Sequence, residues 1–566
     1  KDAKDNTITM EITDFTPHFY IRLPDCPEQY DKKTASVIKR FVKDSIWAKY
    51  RDCLLRVSVL RKHSFRNFDN NKKYRFARIV FSNLASMRQA VGIFQKREYN
   101  SHTETTKRFP KKIQIFGLPG ATNEPYQYDL YENHIDPLIK FIHYSKIKAV
   151  GWVQIKAGTY EILDNDRYTT KYTITTRWTN VKPLDNINNS NINILAYDIE
   201  CDSAHGDFPV PNKDYTKLAR EIYNSYMKKH LYYTKLVGEN DASNKRMIKE
   251  ITAELENRED FAKKCLKAAF TKSGSEELEI SQIFTKLSDF KPTKNQIKLS
   301  IKNIATYLTV SNNTNSIERK KHSTRCINRI NKILNESFPE VAGDQTIQIG
   351  MSFMKYGSKT PYINYMLTYD PTGTCDKINA NTESYKTEKD LLLRFRQIII
   401  NEDPEIITGW NTDGFDTPWL FKRADELNIS YIFNKLSRDK DYESVIKTKQ
   451  VKGPTGELIM KEFVEIPGRI QMDMLPLVQK SYNLDSYKLD NVSATFINGK
   501  IKDIKFTDEL KTQIFTNSTE GLNEGNYIVF SEVNGYLENK YEDGKKFQIK
   551  NVDHESNVIT IKEELK

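Results

Sequence analysis

Two acidic segments of the chain carry residue types that could bind metal ions. Asp198 and Glu200 end a short apolar run, residues 191–201, that is bounded by asparagines and is typical of a buried strand. Since residues two apart on a strand point to the same side, both carboxylates should project together. Buried carboxylates are costly unless cations neutralise them, and oxygen ligands suit Mg²⁺ or Mn²⁺. Alone, an Asp-x-Glu strand is weak evidence, because exposed strands often carry one.

The second acidic segment, residues 403–427, has the pattern of a strand, a polar turn with glycine, and a helix. Asp416 should lie just before that helix, whose first turn accommodates Pro418. The plain explanation of an acidic residue at this position is a helix N-cap. The pattern Asn411-x-x-x-Phe415-Asp416 is more specific than a cap requires. The segment therefore predicts a second contributor to a metal site.

Together the two segments resemble the first two sequence motifs of the 3′–5′ proofreading exonuclease of family B DNA polymerases. That nuclease family positions four acidic residues around two metal ions. Within the family the chain is similar to the delta-like polymerases of large nucleocytoplasmic DNA viruses. The resemblance covers most of residues 1–200 and 344–500. Outside the two motifs it is carried by residues 12–24, 131–158, 345–357, 385–411 and 466–500.

The resemblance implies an α/β protein with an RNase H-like exonuclease domain over residues 191–566. A mixed α+β N-terminal domain over residues 1–190 should precede it, joined by the Asn-rich linker at residues 182–193. Lys-rich residues 204–343 are predicted to be a largely helical insertion, and residues 500–566 a strand-rich one. Two explanations of the helical insertion stay open: contact with DNA, and an ordinary solvated surface, which is the commoner case.

The resemblance also assigns roles to the site residues. Asp198 would bridge two Mg²⁺ or Mn²⁺ ions, Glu200 would hold the ion that carries the nucleophile, and Asp416 would hold the second ion. Asn411 and Phe415 would position the terminal nucleotide, although core packing explains Phe415 equally well. The whole protein would extend DNA primers with dNTPs, bind a sliding clamp, and act in the nucleus or in a viral replication factory.

Two local features outside the motifs lead to structural predictions. In the N-terminal part, apolar residues at helical spacing predict one helix near residues 128–146. Residues 445–466 contain two strand-like arms around the turn signal at residues 453–456, which predicts a β-hairpin. In the family, a hairpin at this place holds the unwound primer end apart from the template.

Composition limits the class of protein without choosing a function. The chain has 566 residues, enough for two or more domains, and its formal net charge of +12 suits a polyanionic partner. Six scattered cysteines without a C-x-x-C pair argue against a zinc motif and against a disulfide framework, and favour a reducing compartment. No apolar run approaches membrane-spanning length, so no membrane partner is expected.

The third exonuclease motif of the family is a tyrosine followed four residues later by an aspartate. No tyrosine after residue 481 has this spacing, and the polymerase motifs are missing as well. We therefore interpret the chain as part of a longer protein, with the third motif beyond Lys566. Residues 1–566 alone should bind single-stranded DNA but degrade it very poorly, unless Asp473 or Asp490 completes the site.

Three alternatives to the polymerase interpretation remain, of which a structural or interaction protein that only shares the fold is the least favoured. A stand-alone exonuclease with the same four acids would contain both motifs, but the delta-like N-terminal part argues against it. An inactive polymerase relative that acts as a scaffold is the second alternative. The intact residues Asp198, Glu200, Asn411 and Asp416 argue against such decay.

Overall fold

The chain divides into two compact units, residues 1–190 and 191–566. This computed structural model describes residue 1 and residues 6–563, apart from 64–70, 101–104, 123, 165, 186–189, 204–205, 240–243, 272, 288–289, 312–314, 359, 370–379, 453–456, 508–510, 520 and 535–536.

The first unit contains a four-stranded sheet in the order β3-β4-β2-β9 and a three-stranded sheet in the order β1-β12-β11. Its strands are β1 (Ile8–Thr13), β2 (His18–Arg22), β3 (Leu54–His63), β4 (Lys73–Phe81), β5 (Gln95–Asn100), β6 (Thr105–Pro110), β7 (Lys112–Ile113), β8 (Tyr126–Gln127), β9 (Leu130–Tyr131), β10 (Val153–Gln154), β11 (Tyr160–Leu163), β12 (Tyr172–Arg177) and β13 (Lys182–Pro183). Its α-helices are α1 (Asp31–Ser45), α2 (Leu84–Val91) and α3 (Pro137–Ser145).

The single helix predicted near residues 128–146 is wrong in extent and in number. Pro137 occupies the first turn of α3 and the Asp136 side chain accepts a hydrogen bond from the Leu138 N–H, so the helix begins there. Leu138 is 65% exposed, so the predicted apolar face is not core. Helices α1 and α2 were missed, although Ile38 and Val42 of α1 are buried one turn apart.

The second unit is built on a six-stranded sheet in the order β17-β16-β15-β14-β18-β21. The central strand β14 pairs antiparallel with β15 and parallel with β18, which in turn pairs parallel with β21. Helices α9 and α10 contribute Leu391, Phe395 and Trp419 to the core on the face of the sheet that includes Leu195 and Tyr197. The strands of this sheet are β14 (Asn193–Asp202), β15 (Gln345–Lys355), β16 (Ile363–Tyr369), β17 (Asn381–Tyr385), β18 (Ile406–Gly409) and β21 (Ile470–Asp473), and the helices are α9 (Glu388–Glu402), α10 (Asp416–Glu426), α11 (Ser430–Phe433), α12 (Met474–Ser481) and α13 (Leu489–Phe496).

Between β14 and β15 the chain forms a helical insertion with a separate hydrophobic core. That core includes Leu218, Phe261, Ile304 and Ile330, one residue from each of four helices. The helices of the insertion are α4 (Thr216–Glu239), α5 (Lys245–Glu256), α6 (Arg258–Ala269), α7 (Lys294–Ala305) and α8 (Ser316–Ser337).

Strands β19 (Ile446–Lys452) and β20 (Leu458–Val464) pair antiparallel as the predicted hairpin, whose turn at residues 453–456 lies outside the described residues. After α13 the chain forms a five-stranded sheet in the order β22-β23-β28-β27-β24 and a separate two-stranded ribbon of β25 and β26. These strands are β22 (Ile501–Thr507), β23 (Lys511–Thr516), β24 (Tyr527–Ile528), β25 (Ser531–Asn534), β26 (Leu537–Lys540), β27 (Phe547–Asp553) and β28 (Val558–Ile561).

Two further observations concern the cysteines and the helices of the described residues. The five cysteines of the described residues are free thiols. In the part of the chain that the structure describes, no helix combines the length and the apolar character needed to span a bilayer.

Candidate active site

The site begins on β14, where buried and exposed side chains alternate. Leu195, Tyr197 and Ile199 lie in the core, whereas Asp198 and Glu200 point to the opposite, exposed face. The two carboxylates therefore share a side of the strand. The expectation that both would be buried is wrong, because the second face of the sheet is open at this strand.

The buried carboxylate is Asp416, which is 3% exposed and is the first residue of α10. Its Oδ1 accepts a hydrogen bond of 3.2 Å from the backbone N–H of Ile199. The next residue, Thr417, shares a hydrogen bond of 2.6 Å with the Tyr197 hydroxyl. These two bonds fix the start of the helix against the strand at the level of Asp198.

The surroundings of Asp416 shift its titration toward the protonated form. Burial first, and then the negative charge of Asp198 together with a hydrogen bond between the two carboxyl groups, raise the pKa of Asp416 to about 7. Glu200 adds its negative charge to the same region. Burial, followed by the charges of Asp416, Glu388 and Glu200, raises the pKa of the Cys201 thiol. A cation placed between Asp198 and Asp416 would remove this repulsion.

Asp198 and Asp416 are thus a pair that fits a hard cation, since such ions take carboxylate oxygens as ligands. Within the described residues, no three acidic, histidine or cysteine side chains are grouped closely enough to hold one ion. Glu200 shares the exposed face of the strand with Asp198. The described residues therefore bring together the acids of the first two motifs, but they do not form a complete set of ligands for one ion.

The loop between β18 and α10 is held by Asp473, the last residue of β21. The Asp473 carboxylate accepts hydrogen bonds from the N–H groups of Asn411 (3.0 Å), Asp413 (3.2 Å) and Leu475 (3.0 Å). Asn411 has a left-handed φ of 59°, which Asn tolerates better than most residues. Sequence reasoning listed Asp473 only as a reserve metal ligand. In the structure, the Asp473 carboxylate instead holds the loop in place by accepting backbone hydrogen bonds.

Gly409, at the end of β18, allows this close approach of loop and strand. A Cβ atom at this position would lie 2.6 Å from the backbone oxygen of Tyr197 and 2.5 Å from the Thr412 methyl group. Any larger residue would push the loop away from β14.

The two predicted substrate-binding residues lie on this loop. Asn411 is exposed, and Phe415 is half-buried with its ring centroid 5.4 Å from that of Trp419. Sequence reasoning missed Phe208, which is 76% exposed and lies 5.7 Å, centroid to centroid, from Phe415. The available signal was an aromatic residue followed by Pro209, ten residues after Asp198. Together the two rings form an aromatic surface beside the acidic pair.

The hairpin also contacts this loop. Lys461 of β20 lies 3.3 Å from the carboxylate of Asp413, and Glu462 lies 2.8 Å from Lys422 of α10. The hairpin is therefore linked by ion pairs to both the loop and the helix that carry the second motif.

Helix α10 is fixed to the rest of the fold by a buried ion pair. Arg423 donates from Nε to Glu388 at 2.9 Å, and both side chains are at most 3% exposed. The same guanidinium donates from Nη1 to the backbone oxygen of Pro211 at 2.8 Å, and Glu426 accepts from the Gly343 N–H at 2.8 Å. Residues at both ends of the helical insertion are thus bound to the helix that begins with Asp416.

Comparison with known proteins finds a matching family model and similar polymerase sequences. The family model for the exonuclease domain of DNA polymerase family B matches residues 128–254 and 284–492. A DNA polymerase of Pyramimonas orientalis virus is 31% identical over 575 aligned residues, which cover 99% of this chain and 43% of that protein. A DNA polymerase of Phaeocystis pouchetii virus is 29% identical, covering 99% and 57%. The DNA polymerase delta catalytic subunit of Dictyostelium discoideum is 35% identical over 172 residues, which are 30% of this chain and 15% of that protein.

The chain spans about half the length of the two viral relatives. The family match includes β14, β15, β18 and α10, and with them all five predicted site residues. It covers more than half of the chain. The chain therefore belongs to DNA polymerase family B and contains the family's exonuclease domain.

Proposed function

We propose that the second unit hydrolyses the 3′-terminal phosphodiester of DNA with the help of two divalent metal ions. The observation that carries this proposal is the position of Asp416, which is buried next to Asp198 and hydrogen-bonded to the strand that presents Asp198 and Glu200. Two carboxylates held this close repel each other unless one of them is protonated or a cation lies between them, and a cation site is the second of these arrangements.

The domain architecture that we infer is RNase H-like. Support comes from the central sheet, in which β14, β18 and β21 run parallel while β15 is antiparallel to β14. This arrangement places the end of β18, the end of β21 and the acidic part of β14 at one edge. The N-terminal domain over residues 1–190 and the exonuclease domain over residues 191–566 are the units that we assign to the family's domains.

The carboxylates would divide the work at the scissile bond. Asp198, Glu200 and Asp416 would hold the two ions: Asp198 would be a ligand shared by both, Glu200 a ligand of the ion that carries the attacking water, and Asp416, in its deprotonated form, a ligand of the second ion. Bound Mg²⁺ or Mn²⁺ supplies Lewis acidity to the attacking water and to the leaving 3′-oxygen. The hydrogen bond from the Ile199 N–H to Asp416 holds the helix against the strand and so keeps the carboxylates in position for hydrolysis.

The neighbouring loop would bind the nucleotide that is removed. Asn411 offers an exposed amide, and the rings of Phe415 and Phe208 offer a surface on which an unpaired base can stack. The hairpin, linked to the loop through Lys461 and Asp413, would keep the primer end apart from the template.

We infer further that the whole protein extends primers on a DNA template with dNTPs, bound to a sliding clamp, in a nucleus or a viral replication factory. The support is the alignment of 99% of this chain with viral DNA polymerases. Neither a stand-alone nuclease nor an inactive scaffold has a specific observation in its favour.

The test is the double substitution Asp198→Ala and Glu200→Ala in the full-length protein. Removal of a mismatched 3′ end in the presence of Mg²⁺ should be abolished, while primer extension stays largely intact. Both side chains are exposed, so a loss through misfolding is not expected. If excision and extension fell together, the carboxylates would be structural and the proposal would be wrong.

A further inference from the structure

The helical insertion carries most of the unbalanced positive charge of the chain. Residues 204–343 contain 25 Lys and Arg against 17 Asp and Glu, a net charge of +8, whereas the whole chain has +12. The insertion has its own core, so this charge is displayed on a folded body. Net charge alone does not identify a binding surface, and its distribution over the helices decides the question.

The positive charge is distributed unevenly over the five helices. Helices α4, α5 and α6 contain twelve Lys and Arg against seven Asp and Glu, and six of these cations form ion pairs, as in Lys229–Glu254 and Arg246–Glu250. Helices α7 and α8 contain nine Lys and Arg against two Glu, and only Lys321 and Lys332 are ion-paired with described residues. A merely solvated surface would resemble the first group.

Helix α8 presents its cations on the side away from the core. Cys326, Ile330 and Leu334 are buried, while Arg325 and Arg329, one turn apart, are exposed. Neither arginine has an acidic partner among the described residues. They lie between the exposed, weakly paired Lys321 and Lys332, so four cations follow one face over about 16 Å.

Helix α7 packs against α8 and adds to the same charge. Its lysines at positions 294, 298 and 302 recur at each turn, are exposed, and have no acidic partner in the described part of the chain. The helix itself contains no Asp or Glu. Two packed helices therefore both carry rows of cations, most of which have no acidic partner among the described residues.

The insertion is fixed next to the candidate active site. Arg423 and Glu426 of α10 bind the backbone at Pro211 and Gly343, at the two ends of the insertion. Since α10 begins with Asp416, the insertion is anchored to the same helix that carries the buried carboxylate.

We propose that α7 and α8 form a second DNA-binding surface, which holds the phosphodiester backbone by charge and without sequence preference. A row of arginines and lysines on a rigid helix suits phosphate oxygens, and release of counterions drives the binding. The surface is separate from the acidic site, and its function does not depend on the proposed hydrolysis.

The test compares two charge-matched double variants of the full chain. Arg325→Gln with Arg329→Gln removes the central arginines of α8. Lys245→Gln with Lys249→Gln removes two exposed cations, also one turn apart, from α5, where three cations are balanced by three acids. The affinity of each variant for single-stranded and for double-stranded DNA is measured by fluorescence anisotropy as a function of salt, together with its melting temperature.

The α8 variant should bind DNA about five- to twentyfold more weakly near physiological salt, with a salt slope smaller by roughly 1.4 for single strands. The α5 variant should stay within about twofold of the parent chain, and both should melt normally, because the exchanged side chains are exposed. Equal losses in the two variants, or no loss in the α8 variant, would overturn the proposal. The form of DNA, single-stranded or double-stranded, whose affinity falls more in the α8 variant is the form that the surface holds. If the proposed hydrolysis fails while this loss occurs, the surface still stands.

Discussion

The acidic site and the basic surface carry unbalanced charges of opposite sign and are built in opposite ways. Asp198 and Asp416 come from segments more than 200 residues apart, and one of them is fully buried. Arg325 and Arg329 are four residues apart on one helix and are exposed. The first arrangement needs a whole fold to hold it together, whereas the second needs only a helix.

This difference predicts what each region contributes. In the proposed reaction the acidic pair holds metal ions that stabilise charge developing in the transition state, so its loss should lower the rate of the chemical step. Exposed arginines contact phosphate in the ground state, so their loss lowers affinity and its dependence on salt. Rate and affinity should therefore be separable by substitution.

The largest effect is expected from Asp416→Asn in the full-length protein. Excision should fall by about three orders of magnitude or more, since one metal ion loses a ligand, while DNA affinity stays near that of the parent protein. Steady-state and single-turnover excision assays, with anisotropy for binding, would measure the two quantities. A large loss of affinity would break the proposed division between the two regions.

The same substitution should stabilise the metal-free protein at high pH. The pKa of Asp416 is raised in the fold from 3.8 to about 7, so the folded state holds a proton that the unfolded state has lost. Stability therefore falls as the pH rises from 4 to 7, and Asp416→Asn should recover about 2 to 4 kcal/mol at pH 8 in EDTA. At pH 4 the two proteins should be equally stable. A variant less stable than the parent at pH 8 would contradict this account.

Substitutions at two arginines, one buried and one exposed, compare what the two regions contribute to stability. Arg423→Gln leaves Glu388 buried without its partner and should cost about 3 to 5 kcal/mol in the free energy of unfolding. Arg325→Gln, on the exposed face of α8, should cost less than about 0.5 kcal/mol. Thermal unfolding at fixed pH measures both. Similar values for the two substitutions would mean that α10 is not fixed as the structure describes.

A smaller effect is expected from Phe208→Ala. Because the ring is exposed, stability should be unchanged, while the KM for a single-stranded 3′ end should rise about three- to tenfold through lost stacking. Tyr356→Ala is a suitable control, since Tyr356 follows β15 directly and is also an exposed aromatic residue, with 61% of its surface accessible. An unchanged KM in Phe208→Ala would remove this ring from the proposed nucleotide pocket.

The smallest effect concerns the link between hairpin and loop. Lys461→Ala removes the ion pair with Asp413 and should lower excision of a mismatched end about two- to threefold. Lys449, directly opposite Lys461 in the hairpin, provides the matched control, because it carries the same charge and pairs with no described acid. A larger defect in Lys449→Ala would show that hairpin charge, and not the link to the loop, sets the rate.

Local patterns in the sequence predicted the elements that carry the site. Alternation along β14 placed Asp198 and Glu200 on one side, and the apolar runs of β15 and β18 were recognisable as strands. The hairpin arms and the mostly helical character of residues 204–343 also agree with the structure. These features depend on neighbours in sequence, and a periodicity of two or of 3.6 residues reveals them.

Features that depend on distant contacts were not predictable in this way. Exposure of Asp198 depends on which face of the sheet the helices cover, and the role of Asp473 depends on three N–H groups from two segments. The packing of Phe208 on Phe415 joins residues more than 200 positions apart. The extent of α3 was mistaken for a different reason, since the break at Asp136 and Pro137 was present in the sequence.

The central claim is that Asp198 and Asp416 bind a divalent cation, and Mn²⁺ in crystals of this chain tests it most directly. Anomalous scattering should show Mn²⁺ between the two carboxylates, within coordination distance of an oxygen of each, and Asp416→Asn should lose this peak. Crystals at saturating Mn²⁺ with no peak at this position, or with a peak that Asp416→Asn leaves unchanged, would contradict the account.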